Sequence, residues 1–196
     1  MTRHFDVTDR LSLQSEQPAE SIWAQQASDA WKGKSAAAAP PVKELEKFID
    51  GKINRTTASE DERQPMKAIA HAVVENDLPR LDKLVKDLGK DPAALDKLAE
   101  ELQEAFRRSG LRFTVNFDTT NNVLELDDQD GLRHLYLFTD ADKVPMGTTT
   151  SSVDYKTMNE SGISDEVARV MKENATLAAE ALQKSMLKRF ADLSGK

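Results

Sequence analysis

Two carboxylates one residue apart, at the end of an apolar run, are the most chemistry-like string in this chain. Leu135-Tyr-Leu-Phe138 leads into Thr139-Asp140-Ala-Asp142. A strand that ends this way sets Asp140 and Asp142 side by side at its C-terminal end. There a pair of carboxylates can hold a divalent cation against a phosphate. Asp127-Asp-Gln-Asp130-Gly131 offers a second cluster of oxygen ligands. Setting Gly131 at the sixth place of a calcium loop puts Leu126 and Leu137 where the first and twelfth ligands belong. That site is therefore not expected. Gly33-Lys34-Ser35 has the tail of a phosphate-binding loop, but Ser28 stands where its first glycine is required. His4, His71 and His134 are far apart in the sequence. His71 reads as a residue at the edge of a helix face. His134 shares a strand with Tyr136, the material for a two-residue general-base site.

Asp140 and Asp142 look like the Asp-x-Asp of nucleotide-sugar glycosyltransferases, or the nucleophile motif of haloacid-dehalogenase-type phosphatases. Both need a parallel α/β sheet, and the strands ahead of Asp140 read as an antiparallel meander. The expectation is a solvated turn. The alternative is a small metal- or phosphate-handling enzyme that uses Asp140 and Asp142. No metal or cofactor is expected.

The elements around these residues follow from periodicity. Residues 42–110 read as helices. Val42, Leu45, Phe48, Ile49 and Ile53 make a first apolar face. Ser59-Glu-Asp-Glu62 has capping-box spacing, although Pro65 could instead mark the start of the regular helix. Asp77 and Asp91 precede Leu78-Pro79 and Pro92 and start two more helices, with Gly89 as a C-cap between them. From Leu111 the period becomes two: Leu111, Phe113, Val115 and Phe117 alternate with polar residues. Turns at Thr119–Asn122 and Asp127–Gly131 separate three strands over 111–138. Loops this short allow only antiparallel pairing. Residues 139–162 read as a polar loop, taken as a linker in preference to a binding lid.

Residues 163–193 read as one long helix capped by Ser164. Val167, Met171, Ala175, Ala178, Leu182, Met186, Phe190 and Leu193 form a stripe with a mean spacing of about 3.7, that of a straight helix. A three-stranded sheet cannot cover such a stripe, so the Met186–Leu193 end is expected to project. Met186 and Phe190 are then partner-binding residues.

Residues 1–41 read as a flexible arm that ends in Ala36-Ala-Ala-Ala-Pro40-Pro41. Trp23, Ala27 and Trp31 share one stripe within it. Trp23 and Trp31 are taken either as a helix folded back on the domain or as a partner-docking motif.

The chain has 196 residues, a net charge of −7 and no cysteine. The acidic balance argues against a nucleic-acid or anionic-membrane binder, because both need a basic face. The absence of cysteine excludes disulfides and thiolate chemistry. Residues 111–162 hold four Lys/Arg against nine Asp/Glu, which marks that stretch as the most acidic. The first ten residues lack an apolar core for a Sec signal, and no run of ~18 apolar residues occurs. The expected setting is the cytoplasm, or export by a route other than Sec.

A helix through Leu98, Leu102 and Phe106 leads into Leu111-Arg-Phe-Thr-Val-Asn116, then a turn, Val123-Leu-Glu-Leu126, another turn and a third strand. Residues 98–138 resemble the corresponding region of FlaG-type flagellar proteins. Where that family ends its third strand with an Arg-x-Ile-Pro-type string, this chain has Tyr136-Leu-Phe138-Thr. The resemblance implies a non-catalytic role around a flagellar or related secretion apparatus.

The expectation is therefore an α+β protein: a helical N-terminal half, a three-stranded antiparallel meander and a long C-terminal helix. Its expected role is non-enzymatic, binding a protein partner or a second copy. No small-molecule substrate is identified.

Overall fold

The computed structural model describes residues 40–129, 133–148 and 165–195. The chain divides between Ala39 and Pro40. Trp23 and Trp31 lie outside the described residues, as do His4, Asp130, Gly131, Ser164 and most of the polar loop.

Four helices come first: α1 (Pro40–Ile53), α2 (Glu60–Val74), α3 (Leu78–Leu88) and α4 (Pro92–Ser109). Strands β1 (Phe113–Asp118), β2 (Val123–Asp128), β3 (Arg133–Phe138) and β4 (Met146–Thr148) follow, and α5 (Asp165–Ser194) ends the order. The class is α+β, with helices, then an antiparallel meander, then the long helix. The sheet has four strands in the order β1-β2-β3-β4. Its fourth strand lies inside the stretch read as a loop. Three residues are too few to display a period, and pairing with β3 supplies the order that the local sequence lacks.

The helix starts are set by side chains. Ser59 Oγ accepts from the Glu62 N–H at 3.4 Å, and Glu62 Oε2 accepts from the Ser59 N–H at 2.7 Å. This reciprocal cap starts α2 at Glu60 and leaves Pro65 inside the helix. Asp77 Oδ1 and Asp91 Oδ1 each accept a backbone N–H three residues on, at 3.1 Å, and so start α3 and α4. Pro40 and Pro41, read as the end of an arm, are instead the first residues of α1. Proline is tolerated in a first turn, where its missing N–H has no partner in the helix.

Gly110 has φ of 72° and closes α4 in the left-handed conformation that glycine takes without strain. Gly89 does not close α3 that way, since its φ is −66°. A Cβ there would stand 2.3 Å from the Thr139 Cβ, so glycine permits close packing of α3 on the end of β3.

Alternation and register sort the sheet into two faces. Phe113, Val115, Phe117, Leu124, Leu126, Leu135 and Leu137 lie on one and join the main core with the helices. The other carries three cross-strand rows. They are Thr114–Asp127–His134–Thr148, Asn116–Glu125–Tyr136–Met146, and Asp118–Val123–Phe138. Val123, Tyr136, Phe138 and Met146 of this second face form a smaller cluster with Met171 of α5.

Helices cover both sheet edges. In β1, Arg112, Thr114, Asn116 and Asp118 face β2 with their hydrogen-bonding groups, and Phe113, Val115 and Phe117 point theirs outward. The outward N–H of Val115 donates to Gln103 Oε1 of α4 at 2.5 Å. At the other edge α5 crosses β4 so closely that a Cβ on Gly147 would lie 2.2 Å from the Asn174 carbonyl oxygen.

The C-terminal end of α5 does not project as expected. Met186 is 1% exposed in the main core, and Phe190 packs its ring 5.2 Å from that of Phe48. Gln183 Nε2 donates to the Val74 carbonyl at 2.6 Å and ties α5 to the end of α2. The helical half of the molecule, and not the sheet, covers this part of the stripe. The exposed large apolar side chains of α5 are Val167, Val170, Leu177 and Leu193.

Candidate functional site

The Asp140/Asp142 string falls in the turn between β3 and β4. Asp140 Oδ2 pairs with Lys143 Nζ at 2.5 Å, and the Lys143 N–H donates to the Asp140 carbonyl at 3.3 Å. Lys143 Nζ also stands 5.5 Å from the Phe138 ring centroid. Asp142 is exposed. Asp140 is thus taken up in closing its own turn, apart from Asp142. Among the described residues no group of three or more His, Asp or Glu side chains could hold a metal ion.

His134 and Tyr136 do come together, with stacked rings and centroids 6.2 Å apart. Sequence reasoning missed the third member. His134 Nδ1 lies 2.7 Å from Asp127 Oδ1, the residue opposite it on β2. Burial raises the Asp127 carboxyl above the usual range, and the His134 hydrogen bond pulls the other way without cancelling it. His134 Nε2 is buried without a hydrogen-bond partner. An imidazole oriented by a carboxylate is two parts of a nucleophile-activating set. His134 lines neither hollow described below, although Thr148, which ends its row, lines the second, and the pair ties β2 to β3.

His71 Nε2 meets Asp50 Oδ1 at 2.8 Å between α2 and α1. Beside it, burial raises the Glu46 carboxyl above its usual range, helped by the nearby Glu75 and opposed by His71. Arg80 pairs with Glu75 at 2.7 Å. These groups join helices α1, α2 and α3.

An apolar hollow lies elsewhere. A hollow of about 270 Å³ opens between the start of α2 and the outer face of α4. Ala58, Pro65, Met66, Leu88, Ala94 and Leu98 give it apolar walls, and Asp61, Glu62, Lys97 and Glu101 stand around its mouth. The capping box that starts α2 also places Glu62 here. Lys97 Nζ reaches across from α4 to Glu62 Oε1 at 2.5 Å. That hydrogen bond is the first cause that holds the Glu62 carboxyl at about 2. Glu101 Oε1 accepts from the Thr57 hydroxyl at 2.7 Å. A second hollow of about 210 Å³ lies between the end of β4 and α5, beside Arg133, Asn174 and Leu177.

The larger hollow was not legible in the sequence, although each of its helices was. It exists because alanines at 58 and 94 fill little of the space between α2 and α4, and no periodicity reports the volume between two elements.

No family model, no curated protein and no solved structure matches this chain. No helix among the described residues is long and apolar enough to cross a membrane.

Proposed function

We propose that this chain acts by binding another protein and not by catalysis. One observation carries the reading: the hollow between α2 and α4 is apolar inside and charged only around its mouth. Protein interfaces are built in this way, with an apolar anchor point inside a polar rim. The order of α4, β1, β2 and β3, together with the resemblance over residues 98–138 to FlaG-type flagellar proteins, supports a bacterial secretion or flagellar-type apparatus as the setting. Export through such an apparatus is part of the same proposal.

The test is a photo-crosslinking amino acid placed at Ala94, exposed on the rim of the hollow, in the full chain in its native cells. A discrete protein adduct at Ala94, with none at the exposed Gly51 of α1, is the expected result. Its partner should belong to the secretion or flagellar-type machinery. No adduct at Ala94, or the same adducts at Gly51, would overturn the binding reading for this face.

A further inference from the structure

We propose that the α2–α4 hollow takes one bulky apolar side chain of its partner, next to a lysine or arginine whose cation reaches Asp61 and Glu101. This rests on the protein-binding reading and specifies the chemistry of the bound segment.

Size sets the first half. Pockets that take a whole small molecule run from roughly 300 to 1,000 Å³. This one, at about 270 Å³, falls just below that range. It suits a single side chain delivered by a segment whose backbone stays outside. Tryptophan and other aromatics supply the most area per anchor, and they dominate interface energetics when seated in such hollows.

Charge sets the second half. Of the four charged groups at the mouth, Lys97 pairs with Glu62 and also attracts Glu101 from one turn away, so three carboxylates share one cation. The mouth therefore stays acidic, with Asp61 and Glu101 outside the Lys97–Glu62 ion pair. Glu101 has the Thr57 hydroxyl as its hydrogen-bond donor, and the Asp61 side chain has no hydrogen bond or ion pair among the described residues. Asp61 lies in the first turn of α2, where the helix dipole favours a carboxylate. Glu101 lies well inside α4, away from the helix start, and shares Lys97 with Glu62. A wholly apolar partner would take water from both carboxylates and return nothing, and an acidic one would be repelled. A segment with a cation next to its anchor pairs with both groups at the rim.

The experiment follows the backbone amides of the full chain by nuclear magnetic resonance. Three probes are titrated: N-acetyl-Trp-Lys-amide, N-acetyl-Trp-Glu-amide and N-acetyl-Ala-Lys-amide. The Trp-Lys probe should give saturable shifts at Ala58, Met66, Ala94 and Leu98. The Trp-Glu probe should bind the same amides about threefold to tenfold more weakly, the range for gaining or losing exposed charge pairs. The Ala-Lys probe should give no saturable shift there. The double variant Asp61→Asn with Glu101→Gln should keep the tryptophan-dependent shifts and bring the two Trp probes within about twofold of each other.

Equal binding of the two Trp probes to the unaltered chain overturns the proposal, as does saturation by Ala-Lys or the absence of saturable shifts at these amides. None of these outcomes removes an adduct at Ala94, so the partner chemistry can fail while the binding reading stands. Loss of that adduct overturns the binding reading itself.

Discussion

The two faces of the sheet solve the same problem in opposite ways. On the helix-covered face, Phe113, Val115, Phe117, Leu124, Leu126, Leu135 and Leu137 are all 5% exposed or less. On the other face polar side chains enter every row, Asp118 sitting beside Val123 and Phe138 in the most apolar one. Asp127–His134 lies at one end, Asn116–Glu125–Tyr136–Met146 in the middle, and Val123–Phe138 at the other end. The first face gains its stability from area removed from water, roughly 1.5–3 kcal/mol for each large side chain. The second places an imidazole against a carboxylate at 2.7 Å but leaves the ring's Nε2 without a partner, so its polar end offsets less of the cost of burial. Polar groups near a sheet are thus not a sign of chemistry by themselves. Here they are cross-strand partners, and the apolar hollow lies apart from them, between helices.

The contrast is broken most severely by a charge on the apolar side. Met186→Asp would bury an unpaired carboxylate at a position 1% exposed. It should cost about 3–5 kcal/mol, a large share of the stability of a single domain. A urea melt followed by circular dichroism should show a much lower midpoint. An unchanged midpoint would mean that this end of α5 is free surface after all.

An intermediate effect is expected at the β1 edge. Gln103→Leu removes the acceptor for the Val115 N–H, and Val115 is only 3% exposed. The buried, unpaired donor should cost about 1–3 kcal/mol. Hydrogen exchange at Val115 should accelerate more than at the β2 amides. Equal acceleration throughout the sheet would assign the loss to packing alone.

The smallest effect belongs to the polar face. The folded-state pKa of Asp127 is raised by burial. Its contribution to stability is therefore fully present below the ordinary carboxylate value of about 3.9, and is lost as pH rises through the raised value. Asp127→Asn keeps an oxygen that can accept from His134 Nδ1–H and removes the charge. At pH 7 the variant should melt within about 1 kcal/mol of the unaltered chain. The difference in stability between the two should shift in the variant's favour as pH rises from about 4. Superimposable pH profiles for the two would show that Asp127 titrates normally and that the second face tolerates a charge freely.

Local signals in the sequence determined the helices and the first three strands. Ser59 with Glu62, and Asp77 and Asp91, satisfy backbone donors within their own turn, so their meaning does not depend on distant residues. Leu111 to Phe117 alternates in a way that only a half-buried strand explains. The chain also determined its acidic balance and its freedom from thiol chemistry. Tertiary structure decided everything that depends on a neighbour remote in sequence. It gave β4 its pairing, Asp127 its histidine, Val115 its acceptor in Gln103 and Met186 its cover beside α1 and α2. It also opened the hollow between α2 and α4. A stripe of apolar residues states that a face will be buried but does not name what will bury it. That choice, and the volume left between two packed helices, belongs to the assembled fold.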